Sequence, residues 1–405
     1  MIDTNHQKIK EILNRGVEDV IVREDLEKKL LSGKKIRLYL GIDPTGADLH
    51  LGHVVVLWKL RDFQDLGHEV VLLIGDFTAR IGDPTGKDTA RKVLTEREIK
   101  ENFKYYKKQA SKILDFSKVK IKYNSTWLSK LKFADILKLV GNFTVQQMIQ
   151  RDMFQKRLSE KLPISLQEFM YPLMQGYDSV AMDVDLEVGG NDQMFNMLVG
   201  RDLQKIYNNK DKDVLTCKLL LGTDGRKMSK TFDNFVAIEE TPSNMYGKIM
   251  SIKDELIDHY FELATRLSES EISEIKKSSD NPRDIKAILA KEVVKMYHGE
   301  KNAEMVEEEF NKVFRNKELP TGIPFFEISK NNYLIADLLF DSKLASSKKE
   351  AKRLVEGSGV EIINGDPANG AGNKERITDW KKEIILKDGD IVKVGSRKFV
   401  KISLR

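Results

Sequence analysis

The segment GIDPTGADLHLGH (41–53) sets His50 and His53 three positions apart with Gly52 between them, directly after an apolar run and at the start of an apolar-periodic stretch. In the first turn of a helix that spacing puts both imidazoles on one side. Such a turn also offers free backbone N–H groups and the positive end of the helix dipole to an anion. Gly52 lets a nucleotide approach the backbone. Imidazoles so placed can donate hydrogen bonds to phosphate oxygens and support charge that grows during phosphoryl transfer. Two histidines at a helix start also serve as caps or packing groups. A metal site would be a third use, but no further His or Cys lies nearby to complete one.

A second cluster, DGRKMSKT (224–231), is a polar loop in which Lys227 and Lys230 bracket Met228 and Ser229. It follows the strand-like run LTCKLLLG (215–222), and Gly222 and Gly225 are expected to make it mobile. Two ammonium groups on a mobile loop can close over a departing pyrophosphate. A lysine pair alone is usually surface charge. The histidine pair early in the chain and the lysine loop far downstream form a more specific combination.

These groups need a scaffold. IRLYLGI (36–42) and GHEVVLLIG (67–75) read as buried strands, with a helical pattern over 51–66 between them. Strand, turn, helix and strand make the grammar of a parallel α/β sheet, whose ligands sit beyond the carboxyl ends of the strands. The stretch 240–320 is rich in Glu, Lys, Leu and Ile at helical spacing and predicts a small helical domain. NKELPTGIP (316–324) has linker chemistry, and short β-like runs follow a basic helix after it. The predicted domains are 1–235, 236–325 and 332–405.

Composition agrees with several domains. The chain has 405 residues, 40% hydrophobic and 32% charged, as in an ordinary globular protein. No apolar run is long enough for a bilayer, and the polar start MIDTNHQKIKEIL is unlike a secretion signal, so a cytoplasmic address is expected. The single cysteine, Cys217, excludes an intrachain disulfide and a cysteine-built zinc site. The net charge is only +5, but between Asn332 and Arg405 15 Lys or Arg stand against 11 Asp or Glu. A basic tail can bind a polyanion or can simply be solvated.

HLGH (50–53) and KMSKT (227–231) resemble, in this order, the two signatures of the class I aminoacyl-tRNA synthetases. The second ends in Thr231 where the family usually has Ser, and the hydroxyl is kept. LYLGIDPTGADLHLGH (38–53), LIGDFTARIGDPTGKDTAR (73–91), FMYPLMQGYDS (169–179) and VGGNDQMFN (188–196) are similar to the tyrosine-specific, bacterial members of that family.

The resemblance implies a Rossmann-like parallel-sheet catalytic domain, a helical anticodon-binding domain and a small α+β S4-like RNA-binding domain. It implies ATP as substrate with Mg²⁺, no protein-bound structural metal, tyrosine and tRNA(Tyr) as partners, a homodimer and no membrane. It places Tyr39 and Asp178 near the substrate hydroxyl. Asp83, Tyr171 and Gln175 surround the ammonium with Thr78 close by, and Gln193 meets the carboxylate. Gly41, Asp43, Gly52, Gly190, Asp192, Met228 and Ser229 fall at ATP, with Asp192 on the ribose. Thr45, His50, His53, Lys87, Arg91, Lys227 and Lys230 act on the phosphates. Lys348, Lys349, Lys352 and Arg353 face RNA.

The residues themselves support part of this. Tyr171, Gln175 and Asp178 are spaced by four and three, so one helix face can present all three. Polar groups built for a phenol are left unpaired by phenylalanine, which penalises the wrong substrate. A tryptophan-specific relative would not need Asp178 with Tyr39. Lys348 with Lys352, and Lys349 with Arg353, fall on adjoining faces of one helix, suited to a phosphate backbone. A nucleotidylyltransferase shares the histidine turn but lacks the extra domains and the lysine loop. A non-catalytic RNA-binding protein would not need intact HLGH and KMSK.

Overall fold

A computed structural model of the chain describes residues 2–44, 46, 48–84, 94–314, 319, 323–364, 373–395 and 398–405, without the side chains of Thr231 and Phe314. Thr45, Lys87 and Arg91 lie outside the described residues. The chain divides into two compact units, Met1–Ala303 and Glu304–Arg405.

The first unit is built on a six-stranded sheet in the order β1-β6-β5-β2-β3-β4. Its strands are β1 (Val17–Ile21), β2 (Arg37–Ile42), β3 (Glu69–Ile74), β4 (Lys120–Tyr123), β5 (Leu186–Gly190) and β6 (Asp213–Cys217). All neighbours run parallel except β1, which pairs antiparallel with β6. From Val70 to Ile74 every residue of β3 is buried, as in a strand covered on both faces. From β2 the chain winds outward through β3 and β4, then crosses back to lay β5 and β6 on the other side of β2. The carboxyl ends of β2 and β5 therefore flank the point where strand order reverses, where open α/β sheets bind ligands.

Three elements rise from this point. Helix Leu51–Asp65 starts after β2. Helix Leu166–Met182 precedes β5, and helix Met194–Asn208 follows it. The apolar run over 215–222 leaves the sheet at Cys217 and turns into the lysine loop.

Helices Pro242–Met250, Ile257–Ala264, Glu269–Ser278, Pro282–His298 and Glu300–Phe314 form the segment predicted as helical; the first four belong to the same compact unit as the sheet, and the division between units falls within the fifth. Tyr260 Oη donates to Leu221 O at 2.8 Å, and the Arg15 guanidinium donates to the carbonyls of Phe261 and Thr265 at 3.3 and 2.8 Å.

The second unit is α+β. Strands β7 (Phe325–Ile328), β9 (Val360–Asn364), β10 (Asn373–Ile377), β12 (Ile391–Val394) and β13 (Lys398–Leu404) form a sheet in the order β10-β9-β12-β13-β7, and β8 (Asn332–Leu334) pairs with β11 (Glu383–Ile385). Helices Ile335–Asp341 and Lys348–Glu356 bury Leu338, Leu339, Ala351 and Val355 against Val360, Ile362 and Val392.

Candidate active site

His50 caps helix Leu51–Asp65. Its Nδ1 accepts the Gly52 N–H at 3.2 Å, while His53 Nδ1 accepts the His50 N–H at 3.3 Å. The rings lie 3.8 Å apart between centroids. Burial, then the neighbouring His53 and Lys230, push His50 down to about 2. His53 is pushed in the same direction by the protein around it and by the Lys230 ammonium, although its ring still meets solvent. Both imidazoles are neutral at pH 7. With each Nδ1 accepting, each proton sits on Nε2, so the pair offers N–H donors without carrying charge.

The lysine loop is stitched to this turn. Leu51 N–H donates to Val236 O at 3.0 Å, and Ile238 N–H to Leu49 O at 3.1 Å. Met228 is buried, and its sulfur would lie 3.7 Å from a Cβ placed on Gly52. Lys230 Nζ donates to Asp48 Oδ2 at 3.3 Å, beside the turn after β2. Lys227 Nζ donates to Asp192 Oδ2 at 2.8 Å, in the turn after β5. The two ammonium groups thus bridge the two sides of the sheet reversal.

The loop's base is pinned, contrary to the expectation that Gly222 and Gly225 loosen it. A Cβ on Gly222 would come within 2.3 Å of the Asn234 side chain, and Gly225 has a φ of +86°. Asn234 accepts the Ser229 N–H at 2.8 Å and donates to Lys227 O at 3.1 Å. These glycines permit close packing and a left-handed turn.

Beside the histidine turn and the lysine loop lies a polar slot. Helix Leu166–Met182 presents Tyr171, Gln175 and Asp178 along one face, as their spacing predicts. Tyr171 Oη donates to Asp43 Oδ2 at 2.9 Å, and Thr78 Oγ1 donates to Asp43 Oδ1 at 2.8 Å. Asp43, expected at ATP, is therefore tied to two residues expected at tyrosine. Gln193 Nε2 donates to Asp83 Oδ2 at 2.8 Å. Asn196 Nδ2 donates to Gln175 Oε1 and Gln193 Oε1 at 3.0 and 3.1 Å.

At the inner end Asp178 is buried and accepts from Trp127 Nε1 at 2.7 Å and Asn124 Nδ2 at 3.2 Å. Burial holds its pKa well above the ordinary carboxylate range, against the pull of those two donors. Tyr39 is fully buried, with its hydroxyl paired to Ser179 Oγ at 2.9 Å.

Sequence reasoning missed Asn124, Trp127, Ser179, Glu187, Asn196 and Lys212. Ser179 and Asn196 end the quoted segments 169–179 and 188–196 without being singled out, and Asn124, Trp127, Glu187 and Lys212 lie at or beneath the slot from places without motif spacing. For Glu187 the available signal was a polar residue inside the apolar run DVDLEVG.

The chain as a whole has known relatives. The family described as tRNA synthetases class I (W and Y) matches residues 31–315. A tyrosine–tRNA ligase of Thermotoga maritima is 47% identical over 405 residues, covering 99% of this chain and 98% of that protein. The chain belongs to the class I tRNA synthetases, in their tyrosine–tRNA ligase branch. Another member, from Carboxydothermus hydrogenoformans, is 47% identical with 97% of each chain covered. Among solved structures, the truncated mitochondrial tyrosyl-tRNA synthetase of Aspergillus nidulans superposes with a TM-score of 0.63 at 23% identity, covering 76% of this chain and 94% of that one. The two segments that resemble the class I signatures, HLGH and KMSK, lie together at the reversal of the sheet.

Proposed function

We propose that this tyrosine–tRNA ligase works through the slot and the phosphate side described above, with roles as follows. The tyrosine carboxylate attacks the α-phosphate of ATP, and pyrophosphate leaves with Mg²⁺ that arrived as part of the nucleotide substrate. The protein supplies no nucleophile. It aligns the reactants and stabilises charge on the phosphoryl oxygens. His50 and His53 donate through Nε2, and Lys227 and Lys230 exchange Asp192 and Asp48 for pyrophosphate oxygens. Asp192, once released, accepts from the ribose. Lys87 and Arg91 assist on the pyrophosphate, and Thr45 on the nucleotide.

At the other end Asp178 meets the substrate phenol, with Tyr39 behind it. Tyr171, Gln175, Asp83 and Thr78 surround the ammonium, and Gln193 turns to the carboxylate. In the second step the terminal ribose hydroxyl of tRNA(Tyr) attacks the adenylate. The second unit, S4-like in its basic helix and following hairpin, binds the RNA backbone through Lys348, Lys349, Lys352 and Arg353, all exposed. The helices over 242–298 serve the anticodon end. Phe133, Leu137, Val145 and Leu166, 58–81% exposed, suit burial against a second copy of the chain.

The observation that carries this reading is the convergence of two neutral imidazoles and two ammonium groups on the sheet reversal beside a slot closed by Asp178. Tyrosine-dependent ATP–pyrophosphate exchange tests it. Exchange is expected with tyrosine, far less with phenylalanine or tryptophan, and none in Asp178→Ala. Equal rates with all three amino acids would sink the slot assignment.

A further inference from the structure

Beneath the slot lies an ion pair with no role in either chemical step. Lys212, the residue before β6, and Glu187, in β5, are 0% and 2% exposed. The Lys212 ammonium donates to the Glu187 carboxylate, to Ser179 Oγ at 2.9 Å and to Met197 O at 3.0 Å, which uses all three of its protons. Glu187 Oε1 accepts from Gln175 Nε2 at 3.3 Å, and Ser179 Oγ pairs with the Tyr39 hydroxyl. One ammonium is thereby a single residue removed from each end of the slot. The space it fills exists only because residue 200 is glycine: a Cβ there would come within 2.6 Å of Lys212 Nζ, 2.8 Å of Ser179 Oγ and 3.4 Å of Glu187 Oε2.

Stability is a weak reason for such a pair, since well-packed apolar residues of similar volume often replace a buried ion pair at no cost. Geometry supplies a stronger one. Fully partnered ionic groups fix directions that apolar packing leaves free. Here the fixed groups are those that read the two ends of the amino acid.

We propose that the Lys212–Glu187 pair is a positioning element of the amino-acid slot, holding Gln175 at the ammonium end and, through Ser179, Tyr39 at the hydroxyl end, so that tyrosine affinity and selectivity over phenylalanine depend on it. The inference rests on the slot reading above.

The full-length enzyme carrying both Lys212→Met and Glu187→Met tests it, because the pair is removed together and no lone buried charge remains. Its KM for tyrosine is expected to rise about tenfold, the loss of roughly one charge-assisted hydrogen bond. Its KM for ATP should stay within about twofold, and the tyrosine-to-phenylalanine ratio of kcat/KM should narrow. Gly200→Ala, which crowds all three members without deleting any, should give the same split on a smaller scale. Parental tyrosine KM and selectivity in either folded variant, or KM values for tyrosine and ATP rising together, would overturn the proposal. Gln175→Ala separates the two levels. A parental tyrosine KM in that variant overturns the slot reading and this inference with it. A raised KM there beside a parental double variant overturns the inference alone.

Discussion

In the proposed reading, His50 serves fold and chemistry through the same property. Its Nδ1 caps a helix, and its burial keeps the ring neutral with the proton on Nε2, the atom proposed to meet phosphate. Burial holds its folded pKa far below the ordinary 6.5, so the unfolded chain binds the proton more tightly. The group's contribution to stability is complete above 6.5 and is lost as pH falls through 6.5 toward about 2. Between pH 7 and pH 5 this amounts to about 2 kcal/mol. His50→Asn keeps a capping acceptor and removes the titration. Its urea-unfolding free energy should therefore fall less between those pH values than the parent's, by about that amount. Curves of equal slope would show that His50 titrates normally in the fold. The positions of His50 and His53 were legible in the sequence because one helix turn fixes both. Asn124 and Trp127, which hold Asp178, were not. They come from a separate element, and nothing in local spacing ties them to residue 178.

The same divide runs through the elements. β2 and β3 were plain in IRLYLGI and GHEVVLLIG, since a strand buried on both faces must be apolar throughout. The helix carrying Tyr171, Gln175 and Asp178 was plain because its polar residues keep helical spacing. The lysine loop stood out in the sequence by its residue types, but its packing did not. Its glycines suggested freedom, and only the packing of Gly222 against Asn234 shows a rigid base. That base makes a prediction for the loop as a unit. Gly222→Ala must displace Asn234, which positions the backbone of Lys227 and Ser229. Pyrophosphate exchange should fall about 10²-fold, as small misplacements of catalytic groups do. Tyrosine binding, read by equilibrium dialysis, should be untouched, and Lys230→Ala should share that pattern. A Gly222→Ala enzyme with parental exchange would mean that the loop places its lysines without the Asn234 anchor.

For the whole chain, the question is where RNA binding can be separated from amino-acid activation. Sequence texture suggests a cut in the linker before Asn332. The packing argues against it: Val313, Leu319 and Ile323 cover Ile363, Ile391 and Phe399 within the second unit. A chain ending at residue 331 would leave those apolar groups without their partners. The compact units divide between Ala303 and Glu304, within helix Glu300–Phe314 and so inside the helical domain of 236–325 that the sequence had set apart, leaving its first four helices with the sheet. Those helices hold the first unit through Arg15, which meets Thr265 250 positions away, and Tyr260, which meets Leu221 39 positions away, contacts that no local pattern records. A chain truncated after Ala303 should therefore keep tyrosine-dependent pyrophosphate exchange at the parental rate, because every described residue of the slot and the phosphate side lies within it. It should lose aminoacylation of tRNA(Tyr). The full chain's tRNA affinity should fall steeply with added salt, as expected where Lys348, Lys349, Lys352 and Arg353 meet phosphates. The same four residues changed to Ala in the full chain should flatten that salt dependence while exchange is retained. A truncated chain that still charges tRNA at the parental rate would place the RNA contacts in the first unit, and a quadruple variant with an unaltered salt slope would remove the basic helix from the interface.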